Sequence, residues 1–574
     1  ETGISTAISV LNNDRLESLS VESCSISGFN TAINLNNLND LVPLIINNTI
    51  TNFKLFGISA TNGISIKLFD NNISSSDAIS SEYKTGVFIS NISNPILIRN
   101  TIHLSSANIV EGSGIVLVSS NGEIRANNID GFKNGVELGS SSPNIGSNSI
   151  ISNKNYGIYI GPDSYPDLSA TIISDERYPV TGFNTIKENG LCSFYPGYSE
   201  IYLSSSYALL KGGCNIIADD RYDPSLQCNH NYLIDGDHVA ETINAGENYW
   251  GEINNHNPEG RFGQNISVDY GGYLMSPCLY ESGTELFVFK DSKGDVYDSL
   301  YSDSSTPNEL TEIEIKYAEA NEFYYSNDFI QAKQKFLEII QLSGNDRLSL
   351  QAYTKLFEIA NSNTYTSEQF LQLKDFYFQK ANAQTDSLIS SSLLHLGNLC
   401  LVSAKEYISA INSFEENVQQ NPNTDLALYR QIDALTTSSL LTSDSTLGKM
   451  VPSKYKVENI LGYSKMISEL LRSRGKEGLA MDNQVIPKDF KLYQNYPNPF
   501  NPTTTIKFDL PKDGLVNLEI YDILGRRIAT LINENKIAGS YEQVFNSASF
   551  ASGVYIYKIQ AGDFLSAKKM ILLK

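Results

Sequence analysis

The best carboxylate cluster in the sequence is the acidic segment Asp219-Asp220-Arg221-Tyr222-Asp223. Two neighbouring carboxylates can serve as general acid and general base in the cleavage of a glycosidic bond. A solvated acidic turn would contain the same residues without any activity. Asp219, Asp220 and Asp223 are therefore weak catalytic candidates.

Aromatic side chains form a second group of candidates. Ten Tyr and Phe residues fall between Tyr156 and Tyr207. Tyr rings can stack on sugar rings or anchor a protein interface while the hydroxyl group stays in water. Tyr195, Tyr198 and Tyr202 are the predicted binding residues, and a Tyr-rich side core under a long loop is the alternative.

The segment 200–203 has the alternation of a β-strand. Ile201 and Leu203 should point into the protein, and Tyr202 should point out of it. An outward ring could meet a ligand, whereas an inward ring would belong to the core.

Other chemistry finds little support in the residue pattern. The five His residues show no metal-ligand spacing, and no Walker loop, nucleophile elbow or Cys-x2-Cys pair is present. We therefore expect no metal site and no cofactor, and Ca²⁺ binding has no support in the sequence.

Composition limits the class of protein. A chain of 574 residues is too long for one ordinary core, so we expect several domains. The formal net charge of −22 argues against a nucleic-acid partner, and 41% hydrophobic residues argue against disorder. No apolar run approaches the roughly 18 residues of a transmembrane segment. The sequence opens at Glu1 without a leader, so we expect a removed export signal or a fragment of a longer chain.

Internal repeats organise the first half of the chain. An Asn stands two residues before an Ile at intervals of 21 to 36 residues, and Gly-apolar strands such as 114–117 follow half a period later. Short strands at this spacing, without helices between them, predict coils stacked in parallel with Asn above Asn. The stacked positions are Cys24, Asn48, Asn71, Asn100, Asn127, Asn148, Asn184 and Asn215.

This pattern resembles a right-handed parallel β-helix of the pectin-lyase type, over residues 1–280. The segment Asn248-Tyr249-Trp250-Gly251 is similar to one found near the last coil of β-helix proteins from surface-dwelling bacteria, and predicts an aromatic cap. Enzymes of this fold usually cleave polysaccharides. The Gly-His-Gly of polygalacturonase-like enzymes and the Arg-x-Pro-x-x-Arg of pectate-lyase-like enzymes are missing here.

The cysteines are too few for a disulfide-built scaffold, but four of the six lie at irregular coils. A crosslink there would help in an oxidising compartment. The candidate disulfides are Cys192 with Cys214 and Cys228 with Cys278. We expect Cys24, a buried thiol at an Asn position, and Cys400, on a helix, to be unpaired.

Helical periodicity replaces the repeats after an acidic linker over 281–307. The spacings of Ala320 with Phe323, Ala332 with Phe336, and Ala410 with Phe414 resemble a tetratricopeptide-like array, which we place at 308–480. Such an array would be a partner-binding platform or a spacer. A second linker over 481–487 follows.

The segment 488–574 contains an ordered set of blocks. Its alternating strands and Gly, Asn and Pro turns predict a small Ig-like β-sandwich. The blocks, in this order, closely resemble the C-terminal sorting domain of the type IX secretion system. The motif residues are Pro497, Asn498, Pro499, Phe500, Asn501, Pro502, Gly525, Arg526, Gly553, Tyr555, Lys568 and Lys569.

The resemblance implies transport rather than chemistry. Proteins with this domain come from Bacteroidota, which are Gram-negative bacteria, and cross the outer membrane folded. The implied partner is the type IX secretion machinery, and the implied location is the medium or the outer-membrane surface. The segment has 11 basic and 8 acidic residues, unlike the acidic remainder of the chain.

These observations predict a secreted, surface-displayed β-helix protein with an adhesive, structural or glycan-binding role. Its partners would be a surface polysaccharide, a protein or another copy, and we lean against an enzyme. One alternative is a polysaccharide lyase or glycoside hydrolase of β-helix type. A second alternative is a self-assembling filament or surface-layer subunit, whose first coil stacks on a neighbour.

Overall fold

The computed structural model divides into two compact units, Glu1–Arg474 and Gly475–Lys574. The structure describes residues 6–11, 18–39, 41–76, 83–105, 112–169, 181–190, 198–211, 213, 215–219, 232–237, 239, 242–246, 248–250, 261–263, 266–269, 311–342, 347–362, 365–422, 424–441, 450–456, 463, 465–471, 490–495, 497–511, 514–523, 525–536, 539–547, 550–562 and 564–573. The predicted linkers at 281–307 and 481–487 lie outside these residues.

The first unit begins with short strands. In chain order they are β1 (Thr6–Leu11), β2 (Ser20–Glu22), β3 (Ser25–Ser27), β4 (Thr31–Asn39), β5 (Leu44–Ile46), β6 (Thr49–Thr51), β7 (Phe56–Phe69), β8 (Asn72–Ser75), β9 (Thr85–Ile98), β10 (Thr101–Leu104), β11 (Ser113–Val118), β12 (Glu123–Arg125), β13 (Asn128–Asp130), β14 (Asn134–Gly139), β15 (Asn144–Gly146), β16 (Ser149–Ile151), β17 (Tyr156–Ile160), β18 (Thr185–Lys187), β19 (Ser199–Ser204), β20 (Ile216–Ala218), β21 (Tyr232–Asp237), β22 (Ile243–Asn244) and β23 (Val268–Asp269).

These strands pair in parallel and form the three faces of a β-helix. The first face has the order β1-β4-β7-β9-β11-β14-β17-β19-β21, and the third has the order β20-β18-β16-β13-β10-β8-β6-β3. The second face is built from β2, β5, β12, β15 and the far halves of β7 and β9. The predicted stack of parallel coils is confirmed.

The interior of the β-helix is a column of aliphatic side chains in register. Ile58 pairs with Val87, which pairs with Ile115, and each is fully buried. One such residue per coil removes a continuous apolar strip from water, which drives the stacking of coils that could not bury it alone.

An Asn ladder runs along one corner of the stack. Asn127 is representative: its backbone N–H and its Nδ2 donate to Asn148 Oδ1 at 2.9 and 3.1 Å, and Nδ2 also donates to the carbonyl of Leu97. The ladder extends one rung further than predicted, to Asn248. Cys24 holds the first position through its N–H, but its thiol is half-buried rather than buried as predicted, and it is free.

Trp250 lies fully buried in the β-helix core, at 5.4 Å and nearly perpendicular to Phe262. The chain continues beyond it, because Phe262 pairs with Ile234 and β22 pairs with β23. Trp250 therefore fills the interior of the last described coils and has a further coil after it.

Helices follow the β-helix within the same unit. They are α1 (Glu312–Tyr325), α2 (Phe329–Leu342), α3 (Arg347–Ser362), α4 (Ser367–Asn382), α5 (Ser387–Ser403), α6 (Tyr407–Gln420) and α7 (Asp425–Ser439), with a further helical stretch at 465–471. Side chains of Thr366, Asp386 and Thr424 accept from backbone N–H groups and so begin α4, α5 and α7.

The helices pack in sequence, α1 on α2, α4 on α5 and α6 on α7. Ala332, Phe336, Ala410 and Phe414, which support the predicted helix pairs, are fully buried. No helix among the described residues is long and apolar enough to cross a membrane.

The second unit contains two antiparallel sheets that share one hydrophobic core. Three strands pair in the order β24-β25-β28 and four in the order β27-β26-β29-β30. Their bounds are β24 (Lys491–Leu492), β25 (Thr503–Leu510), β26 (Gly514–Asp522), β27 (Arg527–Lys536), β28 (Gly539–Asn546), β29 (Gly553–Ala561) and β30 (Phe564–Leu572).

The Asn ladder should dominate the stability of individual coils. Asn127→Ala would remove the Nδ2 donor of the Leu97 carbonyl and one of the two donors of Asn148 Oδ1, and it would leave the N–H and Nδ2 of Asn100 without their acceptor. We expect about 3 kcal/mol of lost unfolding free energy, measured by urea denaturation. The neighbouring Asn128 is exposed, so Asn128→Ala should stay within about 0.5 kcal/mol of the wild type. Equal losses would show that the ladder is not structural.

Candidate functional site

Helix α7 lies across the first face of the β-helix. Many of its contacts are made at one position of the coil, a turn residue with positive φ at the end of the strand, such as Asn62 (55°) or Ser119 (49°). Asn62 Nδ2 donates to the carbonyl of Thr436 at 2.8 Å, and Asn37 Nδ2 donates to that of Ser439 at 3.0 Å. The turn residues in this row are Asn37, Asn62, Asn91, Ser119, Ser140 and Asp163.

The spacing of contacts along α7 matches the coil repeat. Neighbouring coils lie about 4.8 Å apart and a helix rises about 1.5 Å per residue, so one coil corresponds to roughly three residues of helix. Apart from Arg430, which bonds to Ser140 and Asp163, the residues of α7 that bond to the β-helix are three or four apart. They are Asp425 (to Tyr159), Tyr429 (to Glu137), Asp433 (to Ser119), Thr436 (to Asn62) and Ser439 (to Asn37).

A buried ionic cluster, which we call the Arg430 cluster, lies at the centre of this interface. It consists of Arg430, Asp433, Asp163, His395 and Ser119. The guanidinium of Arg430 donates to Asp163 and, at 3.2 Å, to Asp433. Ser119 Oγ donates to Asp433 and lies 3.1 Å from His395 Nε2.

The electrostatics of the Arg430 cluster are those of one cation facing two carboxyl groups. Burial raises the pKa of Asp433 to about 6, and Arg430 only partly offsets this. Burial raises the pKa of Asp163 as well, against the attraction of Arg430. Burial, with Arg430 nearby, holds the pKa of His395 well below its ordinary value, so this imidazole is neutral. The cluster keeps one excess negative charge when both carboxyl groups are ionised.

Glu137 is the second buried carboxylate of this face. It accepts from Ser113 Oγ at 2.7 Å, and the hydroxyls of Tyr83 and Tyr429 approach it at 3.3 Å. The ring of Tyr429 lies over Gly139 and Gly161, where any Cβ would overlap it. Because these two glycines have no side chain, α7 can pack closely against the coils.

Outward side chains of the first face are apolar where the helices cover them. Phe56, Phe88, Val116 and Val118 are fully buried and belong to the same hydrophobic cluster as the helices. Tyr165 joins this cluster, and its hydroxyl accepts from Ser392 Oγ of α5 at 2.7 Å. The helical array is therefore packed on the β-helix and does not stand apart from it as a spacer.

Only one of the three catalytic candidates lies among the described residues. Asp219 is buried, with 1% of its surface exposed. Asp220 and Asp223 lie outside the described residues. Among the described residues, no group of three His, Cys, Asp or Glu side chains is placed to hold a metal ion.

The binding candidates are placed in part. Ile201 and Leu203 are fully buried while Tyr202 is half-buried, as the strand alternation predicts. Tyr202 stacks on Tyr156 and Tyr159, with ring centroids 4.7 and 5.5 Å apart.

The other binding candidates and the candidate disulfide cysteines are only partly described by the structure. Tyr198 is half-buried, and Tyr195 lies outside the described residues. So do the candidate disulfide cysteines, Cys192, Cys214, Cys228 and Cys278. Cys400 is buried and free.

The Pro497–Pro502 segment of the C-terminal unit lies along the edge of β30. Asn498 Oδ1 accepts from the N–H of Ile571 at 2.9 Å, and the N–H of Phe500 donates to the Ile571 carbonyl at 3.0 Å. Thr504 Oγ1 donates to the carbonyl of Pro497, and Ser547 Oγ donates to that of Pro502.

The remaining sorting-motif residues occupy turns and strands of the same unit. Gly525, at φ 79°, makes the turn before β27, and Arg526 pairs with Asp522. Gly553 begins β29, and Tyr555 donates to the carbonyl of Ala551 at 2.7 Å. Lys568 and Lys569 are in β30.

The Arg430 cluster should hold the helices on the β-helix. Arg430→Met would leave two buried carboxyl groups without their cation, and we expect a loss of about 3–5 kcal/mol in urea denaturation at pH 7. The folded pKa of these groups exceeds the roughly 3.9 of an unfolded Asp, so the folded state gains protons first as the pH falls. The unfolding free energy lost in Arg430→Met should therefore be smaller at pH 5 than at pH 7.

The matched control is Arg99→Met. Arg99 pairs with Asp70 at 2.6 Å, but both side chains are about a third exposed, at 37% and 33%. Its loss should stay below about 1 kcal/mol at both pH values. Equal, pH-independent losses for the two variants would contradict the role given to the cluster.

Comparisons with known families match both ends of the chain. Residues 6–173 match the family described as a right handed beta helix region, and residues 494–573 match the secretion system C-terminal sorting domain. No curated protein and no solved structure was found to match the chain. The chain thus consists of a right-handed β-helix at its N-terminal end, helices in the middle and a type IX sorting domain at its C-terminal end, and it is a secreted protein directed to the bacterial cell surface.

Proposed function

We propose that this protein acts at the cell surface as an adhesive or structural β-helix protein, displayed there by its sorting domain. The observation that supports this is the covered first face. Its carboxylates Glu137 and Asp163 are bonded across to α7 and are nearly inaccessible to solvent. A face covered in this way is closed to a polymer substrate.

The enzymatic alternative needs convergent carboxyl groups that a substrate can reach. Hydrolysis of a glycosidic bond requires two carboxyl groups flanking the bond. The carboxyl pair of the Arg430 cluster, Asp163 and Asp433, lies inside the interface with exposures of 6% and 1%. The described residues thus favour binding or scaffolding over cleavage.

The Tyr156–Tyr159–Tyr202 stack is the surface that we propose for glycan binding. Tyr159 donates to Asp425, so the stack adjoins the first residue of α7. Tyr156 and Tyr202 are half-buried and present their rings on the outer side of β17 and β19. Stacked Tyr rings next to a rigid strand can meet a sugar ring at little conformational cost.

We also propose a more specific fold for the helices and for the C-terminal unit. The buried Ala and Phe positions of α1–α2 and α5–α6 support a tetratricopeptide-like array. The two antiparallel sheets around one core support an Ig-like sandwich for the sorting domain.

Export should depend on the sorting domain. Deleting residues 488–574 removes a unit with its own core, so the β-helix and helices should still fold. We expect the truncated protein to accumulate in the periplasm, measured by cell fractionation and protease accessibility. Normal amounts of truncated protein at the cell surface would contradict the assignment.

The Tyr stack should contribute to binding of immobilised polysaccharides. Tyr202→Ala removes the central ring and should weaken binding by roughly 1–3 kcal/mol, with little change in melting temperature. Tyr202→Phe keeps the ring and should bind like the wild type. The same polysaccharides should yield no reducing ends or unsaturated products. A large fall in melting temperature without loss of binding would assign the stack to the core.

A further inference from the structure

We infer that the outer face of β29 and β30 is the surface by which the sorting domain docks on the export machinery, through a partner surface that is apolar and rimmed by carboxylates. This inference rests on the proposed function, because it names the surface that the sorting domain uses. We call this surface the β29–β30 face, and it comprises Val554, Ile556, Lys558, Leu565, Ala567, Lys569 and Ile571.

The Pro497–Pro502 segment is the obvious candidate for recognition, but Asn498 and the backbone at Pro497, Phe500 and Pro502 bond inside the domain. Asn498 and the backbone of Phe500 bond to the outer edge of β30 at residue 571, and the N–H of Leu573 donates to the Phe500 carbonyl at 3.0 Å. Gln494 Nε2 donates to the Lys569 carbonyl at 2.8 Å. The segment thereby covers a sheet edge that would otherwise be open to pairing.

The side chains of the β29–β30 face point away from the core of the domain. Tyr557, Ile559, Met570 and Leu572 are fully or almost fully buried, so the residues that alternate with them face outward. Across the two strands, Val554 pairs with Ile571, Ile556 with Lys569, Lys558 with Ala567 and Gln560 with Leu565.

This face is unusually apolar for an exposed surface. Of the thirteen large hydrophobic side chains exposed in the described part of the chain, six lie in the C-terminal unit, which is about a sixth of the chain. Three of the six, Val554 (38%), Ile556 (37%) and Leu565 (58%), are on the β29–β30 face. Clustered exposed apolar groups mark interaction surfaces.

The charge on this face has one sign. Lys558 and Lys569 are the charged residues of the face, and β29 and β30 contain no Asp or Glu. The nearby Glu519 of β26 already accepts from Tyr521 and from Arg527, each at 2.6 Å. Neither Lys558 nor Lys569 forms an ion pair with a described residue.

A protein of the export machinery fits this chemistry better than the other occupants. A second copy would place the lysines of two identical faces against each other, which is unfavourable. An anionic membrane would find few lysines and no extended basic cluster of the kind that recruits lipid surfaces. An apolar partner surface with carboxylates at its rim complements both features.

The test uses the full chain in the producing bacterium. Val554→Thr/Ile556→Thr makes the face polar while keeping β-branched residues, and Lys558→Glu/Lys569→Glu reverses its charge. We expect each pair to lower the amount at the cell surface at least about tenfold, with protein retained in the periplasm. Lys558→Gln/Lys569→Gln, which removes charge without adding any, should lower it less, by about threefold.

The controls change similar residues elsewhere on the same domain. Ile523 is 70% exposed beside the turn after β26, and Lys491 is exposed on β24 of the other sheet. Ile523→Thr and Lys491→Glu should be exported within about twofold of the wild type. Thermal melting of each purified full-length variant verifies that the domain is folded.

The outcomes separate this inference from the proposed function. If the face variants are exported normally while the 488–574 deletion is retained in the periplasm, the sorting function stands. The assignment of docking to the β29–β30 face would then be wrong. If the deletion itself is exported, the sorting function fails. Loss of self-association in sedimentation, or of binding to phosphatidylethanolamine–phosphatidylglycerol vesicles, in variants that are exported normally would assign the face to a second copy or to lipid.

Discussion

The structure of the first unit depends on a match between two repeats. Coils of the β-helix stack at about 4.8 Å, and one turn of α-helix rises about 5.4 Å. Because these lengths are close, α7 can place a bonding side chain on each successive coil from Tyr159 back to Asn37. A helix that lies along the stack can therefore contact successive coils over its whole length.

That match explains why so polar a helix is buried. Arg430, Asp433, Thr436 and Ser439 are polar residues that a core rarely contains, but each bonds to the turn row of the β-helix, Thr436 through its carbonyl. Buried polar groups are stabilising only when they are bonded. The bonds fix the register of α7 on the coils, while Phe56, Phe88 and Val116 supply the apolar contact beside them.

The sequence was enough to predict the β-helix repeats and the helices. It was not enough to predict that the helices pack on the first face of the β-helix. The Asn ladder could be predicted because its residues recur along the chain, and the sorting domain because its ordered motif blocks resemble those of a known family. The covered face was missed, although a signal was present: Val87-Phe88-Ile89 and Ile115-Val116-Leu117 are continuous apolar runs, typical of parallel strands buried on both sides. Arg430 and Asp163 are 267 residues apart, so spacing alone could not pair them.

The central claim is that the helices and the covered face form one cooperative body. Native-state hydrogen exchange of the full chain, followed by mass spectrometry in increasing denaturant, tests it most directly. The account predicts that peptides from α7 (425–439) and from β11 and β14 lose protection together, at the same denaturant concentration. Opening of α7 at a clearly lower concentration, while β11 and β14 stay protected, would show that the helices are a loosely attached appendage and contradict the account.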